Sequence, residues 1–370
     1  GLAKEELDCL YEQAKFQPII GNLKDEGRQP EWAKSYLIHR TKAGTNIAFL
    51  AYTFPYYITY APNGWQVLEP MARLEEDLAR PEVKDADIVV VLSHLGVRYD
   101  EQIAETYPQV NLVIGSHTHH LFEEGKLVNE TYLAAADRYG YYLGCIDLTV
   151  ENGRLIECQI EAIPTKSYIL DLDKEDETFI KAMREEGHRR LAQKKVANLG
   201  RELDFDETCQ LVLQAVCQET HSQLTLLNTG LIMKTLGPQV TMADLQEALP
   251  HQMRMARLVV TGQELKEICQ EVFTKAELLK NQAIKGMGFR GKTFGEVITG
   301  NFAYKNGNLL YNRRVVDSNE KFSLVLVDQY YFASYFPTIK EKEVTLLFPD
   351  LLRELVAKYL GKNGANWDKI

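Results

Sequence analysis

The sequence has no run of about 18 apolar residues, so no stretch of it reads as a membrane-spanning helix. It has no excess of positive charge either: 42 Lys and Arg against 52 Asp and Glu leave a formal net charge of -10. A nucleic-acid backbone or an anionic membrane surface selects basic partners, so neither is expected here, while phosphate on a small molecule is still allowed locally. Six cysteines (Cys9, Cys145, Cys158, Cys209, Cys217 and Cys269) include no C-x-x-C pair. In a chain this large that reads as reduced core thiols and favours the cytoplasm. The G-x-S-x-G elbow of serine hydrolases is missing, and Ser93 beside His94 would face the opposite side of a strand. Bias toward disorder is missing too: 370 residues, 45% hydrophobic and 25% charged, suffice for two cores and two globular domains.

What is present centres on Ile88-Val89-Val90-Val91-Leu92-Ser93-His94-Leu95-Gly96, followed by Val110-Asn111-Leu112-Val113-Ile114-Gly115-Ser116-His117-Thr118-His119-His120. Each half is a short β-branched run, the pattern of a strand buried on both faces, and each stops at histidine next to glycine. The polar stretch 97–109 between them has the length of a connecting helix, which makes the two strands parallel neighbours. Ligands collect at the carboxyl ends of such strands. A single histidine after a strand is more often a surface residue; three on consecutive strand ends favour a metal site, because imidazole is a common ligand of first-row metals. His117 and His119, two apart, project to one side if the backbone is extended, and His120 then points away, toward a supporting role or solvent.

The "LSHLG" and "GSHTHH" blocks resemble the last two metal-binding blocks of the calcineurin-like metallophosphoesterases, in the 5'-nucleotidase and UDP-sugar hydrolase branch. The resemblance implies that His94 and His117 bind one divalent ion and His119 its partner, two ions in all, of manganese, zinc, iron or cobalt. The earlier family blocks, Asp-x-His, a bridging Asp and Asn-His-Glu or Asn-Asn-Glu, have no counterpart before residue 88, and Gly1 to Leu7 resembles sequence just downstream of them. That implies roughly one hundred preceding residues, about a small domain, holding the other half of the site. No catalytic residue is therefore assigned in this chain. The fold implied is α/β: an incomplete metallophosphoesterase sandwich of mixed sheets with flanking helices over 1–168, a linker helix over 169–196, and a smaller 5'-nucleotidase-type carboxyl-terminal substrate domain over 197–370.

Along the chain, Lys4 to Ala14 has helical spacing and is expected to pack on the sheet. Thr45 to Thr53 reads as a buried strand and Pro70 to Leu78 as a helix. The aromatic cluster Tyr52, Tyr56, Tyr57, Tyr60 and Trp65 reads as packing, and His39 as structural. Tyr141 to Val150 and Arg154 to Ile163 read as a hairpin closing a sheet. The charged stretch Asp171 to Val196 reads as a solvated helix. In the family such a helix is a hinge.

The order Asn228-x-Gly230, then V-T-x-x-D-L from Val240, then T-G-x-E-L from Thr261 is similar to the 5'-nucleotidase carboxyl-terminal domain. Met233 stands where members commonly carry arginine, and Lys234 is the available substitute, though a point ammonium does not reproduce a bidentate guanidinium. Gly286 to Gly291 resembles one wall of a nucleobase clamp, with Phe289 stacking and Arg290 supplying charge; a surface turn with a core Phe is the alternative. Tyr331 or Phe336 would be the second wall. The substrate-binding set implied is Asn228, Gly230, Lys234, Phe289, Arg290, Tyr331 and Phe336. The activity implied is metal-dependent hydrolysis of nucleotide phosphoesters, extending to 2',3'-cyclic nucleotides or nucleotide sugars, by a monomer or weak dimer whose partner is a small-molecule nucleotide. The alternative is a nucleotide- or metabolite-binding protein without catalysis.

Overall fold

The structure is a computed structural model that describes residues 4–168, 173–284, 288–333 and 335–363. Gly286 and Met287 of the glycine-rich stretch, Ser334, and 169–172 of the interdomain stretch lie outside the described residues. The chain divides into two compact units, Gly1–Lys174 and Glu175–Ile370, and the division falls inside the helix Asp173–Ala192. On that helix Phe179, Ile180 and Met183 are exposed.

The first unit is built on a six-stranded sheet in the order Tyr36–Arg40, Asn46–Thr53, Ile88–His94, Leu112–Gly115, Thr131–Ala134, Lys126–Val128. The four middle strands are parallel and the two edge strands antiparallel to their neighbours. Consequently Thr53, His94, Gly115 and Ala134 end on one side of the sheet. The run from Ile88 to Val91 is buried on both faces because each face has its own cover. Val89 and Val91 pack against Leu74, Leu78, Val83 and Ile103 from the helices on one side. Ile88 and Val90 pack with Ile146, Leu148, Val150, Leu155 and Ile160 on the other. Each such side chain contributes about 1.5–3 kcal/mol on burial, so the strand carrying His94 is firmly held.

Two expectations are corrected here. The strands Tyr142–Glu151 and Arg154–Pro164 do form an antiparallel hairpin, but it is a separate two-stranded sheet and closes nothing. Its apolar alternation supplies a second layer across the face of the main sheet, so its partner is a surface and not a strand edge. The first helix, Lys4–Glu12, does not pack on the main sheet. Its Leu7 joins Trp32 and Ile20 around Leu23, Trp65 and Val67, a satellite core on the small ribbon of Leu23–Lys24 and Gln66–Val67.

The second unit has a five-stranded sheet ordered Val297–Gly300, Leu224–Asn228, Lys321–Val327, Arg254–Thr261, Val344–Leu351, in which only the second and third strands are parallel. Phe205–Glu219 and Gly262–Leu279 are amphipathic helices that bury Leu211, Val212 and Val216, and Leu265, Ile268 and Val272. Both begin at capping boxes, Asp204 with Glu207 and Thr261 with Glu264, and Thr241 with Asp244 starts a third helix the same way. Each box satisfies two otherwise orphaned backbone donors. Glycine follows Thr261 because a Cβ at Gly262 would meet the Asp317 carbonyl and Val316. The T-G-x-E-L and V-T-x-x-D-L segments are thus helix starts.

Candidate metal centre

His94 ends its strand opposite Thr53, and Ser93 stands opposite Gly115 of the next strand. The following Gly96 has φ 93°, and a Cβ there would lie 2.8 Å from the Thr118 methyl. Glycine is therefore required for the 116–118 loop to pass over the start of the helix Val97–Thr106, where the Val97 amide donates to Thr118 Oγ1 at 3.0 Å. Gly115 answers a similar need: a Cβ would collide with the Asp100 carboxylate. That carboxylate is buried and accepts from the Ser93 hydroxyl. Burial lifts Asp100 to about 6 against the help of that hydrogen bond. Ser93 is thereby committed to a structural partner.

The loop brings His94 and His117 together: His94 Nε2 and His117 Nδ1 are 3.3 Å apart. Ser116 fixes the tautomer of His94. Its hydroxyl donates to the Ser93 carbonyl at 3.1 Å, so its lone pair accepts from His94 Nδ1 at 3.0 Å. Nε2 is then the unprotonated nitrogen, turned toward His117. Phe54 stacks on the His117 ring at 4.8 Å and 16°, and Tyr56 meets it edge-on at 5.7 Å. Burial lowers both histidines below the usual range, His119 adding to the effect on His94, and His94 and His119 adding to that on His117. Neutral imidazoles offer lone pairs, the form a metal requires.

His119 is near enough to influence both rings, but not by strand alternation. His117 and His119 have φ of 68° and 54°, left-handed backbone, because the strand stops at Gly115. His120 is exposed and its Nδ1 lies 2.9 Å from Thr118 Oγ1, outside the pair. Two ligands about 2.0–2.1 Å from one ion at a tetrahedral angle are separated by about 3.3 Å, so the His94–His117 spacing fits an edge of a coordination shell. Among the described residues no group of three or more His, Cys, Asp or Glu converges to hold an ion.

Sequence reasoning missed Ser116, Phe54, Tyr56 and Asp100. Ser116 had a signal, since a ligating imidazole ordinarily donates its other N–H to a fixed acceptor. Tyr52 and Trp65 of the aromatic cluster are buried, whereas Tyr56 and Tyr57 are exposed.

In the second unit three of the expected substrate residues make contacts within the domain. Asn228 is buried, donates to the Phe294 carbonyl and accepts from the Tyr330 hydroxyl at 2.7 Å. Gly230 lies where a Cβ would meet the Thr293 and Phe294 carbonyls. Phe336 is fully enclosed with Phe294 and Tyr330. Phe289 is also buried, stacked on His251 at 4.7 Å. Accessible surface remains on Arg290, Lys234, which pairs with Glu247 at 2.7 Å, and half-buried Tyr331.

His251 is fully buried and its Nδ1 accepts the Arg290 amide at 2.9 Å. Burial, reinforced by Arg290 and Arg353 and opposed by the Leu231 backbone, takes its pKa down to about 4. The unfolded chain takes up a proton near 6.5 while the native ring does not, so stability contributed above that value is lost as pH falls toward 4. Between pH 7.5 and 5 this amounts to about 2 kcal/mol. His251→Gln should flatten the pH dependence of urea unfolding by that amount; an unaltered slope would show that His251 is not the responsible group.

No family model matches the chain. It is 33% identical over 377 residues to the uncharacterized metallophosphoesterase YunD of Bacillus subtilis (strain 168), covering 96% of this chain and 80% of that protein. It is 21% identical over 219 residues to the trifunctional nucleotide phosphoesterase protein YfkN of the same organism, covering 53% of this chain and 15% of that protein. Its fold is similar to a putative 5'-nucleotidase from Staphylococcus aureus, with a TM-score of 0.61 at 13% identity, covering 98% of this chain and 79% of that one. The NAD nucleotidase of Haemophilus influenzae gives a TM-score of 0.59 at 13% identity, covering 97% and 79%.

Proposed function

The chain belongs to the metallophosphoesterase family, enzymes that hydrolyse phosphoesters with divalent metals, and from that premise we propose that its own substrates are nucleotides and that His94 and His117 grip one of the ions. The observation that carries the reading is the pair of imidazole nitrogens 3.3 Å apart at the carboxyl end of a parallel sheet. His119 is the proposed donor to a second ion.

A bound divalent ion would polarise the phosphoryl group and make solvent nucleophilic near neutral pH. The residues of this chain do the positioning. Ser116 holds the His94 tautomer, Phe54 and Tyr56 set the His117 ring, and the buried Ser93–Asp100 pair keeps the strand end in place. Burial holds His94 and His117 below the ordinary histidine value, which favours the neutral form that can act as a ligand. No serine or cysteine nucleophile takes part.

The test uses the intact protein, stripped with chelator and reloaded with manganese, zinc, iron or cobalt, and assayed for release from nucleoside monophosphates, 2',3'-cyclic nucleotides and nucleotide sugars. Chelation should abolish release and at least one metal should restore it. Turnover that survives complete chelation would overturn the reading. A second reading is nucleotide binding without turnover. Reloaded protein that binds nucleotide but releases nothing would select it.

A further inference from the structure

We propose that the helix Asp173–Ala192 pairs antiparallel with the same helix of a second copy of this chain, crossing at Met183, with Phe179 of each copy seated over Gly187 of the other. The proposal is independent of the phosphoesterase reading and concerns a surface which that reading leaves unused.

Two features of this helix have no explanation within the chain. The first is an apolar stripe. Phe179, Met183 and Gly187 recur every four residues, with Ile180 beside them, so they share one face. On that face Phe179 is 63% exposed, Ile180 46% and Met183 52%. Single exposed apolar side chains are ordinary, but three contiguous ones on a helix otherwise dominated by charged residues mark a docking face. The second feature is Gly187. Glycine is the poorest helix former after proline, and a Cβ at 187 would meet nothing within 4 Å among the described residues, so no neighbour in the chain demands it. A gap in the stripe is what a side chain from outside would fill. His188 shows which side of the helix is already taken. Its Nε2 lies 3.4 Å from Glu247 Oε1, and Leu191 and Ala192 are half-buried, so a flank of the helix, and not the stripe, faces the body of the second unit.

The pattern is self-complementary, which selects a second copy over an unrelated partner. In a two-fold pair, if residue i meets j then j meets i. Positions 179 and 187 lie equally far from 183, so an antiparallel crossing with Met183 against itself brings each Phe179 over the other helix's Gly187, a knob entering a hole. The charges agree on direction. Asp173 to Glu177 hold four acids and one lysine, whereas Arg189 to Lys195 hold four bases and no acid. Antiparallel copies therefore set opposite signs together at both ends, and parallel copies would set like signs together. That segregation also suits the dipole of a lone helix, so it fixes the sense of the pair and not its existence. The 20-residue helix is about 30 Å long. Two of them make a small interface, of the class under about 1,200 Å² that associates weakly.

The test is sedimentation velocity on the intact protein over a concentration series, which reads association and needs no turnover. The parent should pass from monomer to dimer as concentration rises. Met183→Glu sets two carboxylates on the two-fold axis and should weaken association roughly 30-fold or more, the effect of losing a central interface anchor. Gly187→Gln, which fills the gap while favouring the helix, should weaken it as well. Both positions are exposed, so circular dichroism and Tm should stay at the parent values. Cross-linking then reads the register. With the exposed Cys9 and Cys145 changed to serine, Met183→Cys should give a covalent dimer on addition of diamide, and Lys181→Cys, on the opposite side of the helix, should not. A parent that stays monomeric throughout leaves the stripe to a different partner and overturns the proposal. A dimer that Met183→Glu leaves intact, or equal cross-linking at 181 and 183, places the contact elsewhere and overturns it too.

Discussion

His94→Ala should lower kcat/KM for phosphoester hydrolysis by the intact protein about a thousandfold or more, a loss of about 4 kcal/mol of transition-state stabilisation. The substitution removes the nitrogen that Ser116 leaves unprotonated and turned toward His117. His94 is the exposed last residue of its strand, so folding should be little affected. His117→Ala should have a similar effect on rate, with an added backbone cost because φ at that position is 68° and alanine tolerates it less well than histidine. His120→Ala is the control, since its ring bonds to Thr118 and is outside the pair. Metal content measured alongside rate decides the matter: His94→Ala protein that binds metal normally and hydrolyses within tenfold of the parent would remove His94 from the ligand set.

Asp77→Ala should cost about 3–5 kcal/mol of stability, the usual consequence of removing one partner from a buried charge pair. Asp77 is fully buried on the helix Pro70–Leu78. Its Oδ1 accepts from Arg73 at 2.7 Å and Arg80 at 2.8 Å, and its Oδ2 from the Tyr52 hydroxyl at 3.0 Å. Tyr52 is itself buried in the strand beside Ile88–His94, and burial with the neighbouring carboxylate keeps its hydroxyl protonated. Truncation would leave the largely buried Arg73 guanidinium with its Glu76 partner alone and take the acceptor from the buried Tyr52 hydroxyl. For a unit of this size the loss corresponds to roughly 6–20 °C in Tm. A thermal shift equal to that of an exposed-site control such as Glu75→Ala would refute the account.

The sheet of the first unit was legible because its chemistry is repetitive. Five consecutive β-branched or leucine positions after Asp87 admit little besides a strand covered on both sides, and the polar stretch 97–109, of a connecting helix's length, then points to a parallel neighbour. Sequence periodicity tells which residues are hidden and not what hides them, which is why the hairpin was expected to close an edge and instead covers a face. The histidines were visible as residues, while their geometry was not. Left-handed backbone at His117 and His119 follows from Gly96 and Gly115 making room for Thr118 and Asp100, contacts that join separate segments.

The second unit shows the converse. Asn228, Gly230, Thr241 and Thr261 stand out as a motif, yet they bond Phe294, admit its carbonyl, or cap helices. A recurring pattern can mark how a domain is stitched as readily as where it binds, and only the contacts separate the two.

The adjacency of Leu224–Asn228 and Lys321–Val327 at the middle of the second sheet has a temporal consequence. Gln223 and Ser323, which bond at the start of that pairing, are 100 positions apart. During translation the earlier strand must therefore wait while the ribosome adds the intervening chain, about 5–20 s at about 5–20 residues per second. Its capped helices can nucleate meanwhile from local signals. The nascent domain thus spends that interval as helices around an open seam, and its exposure to chaperones and proteases is set by elongation speed as much as by final stability.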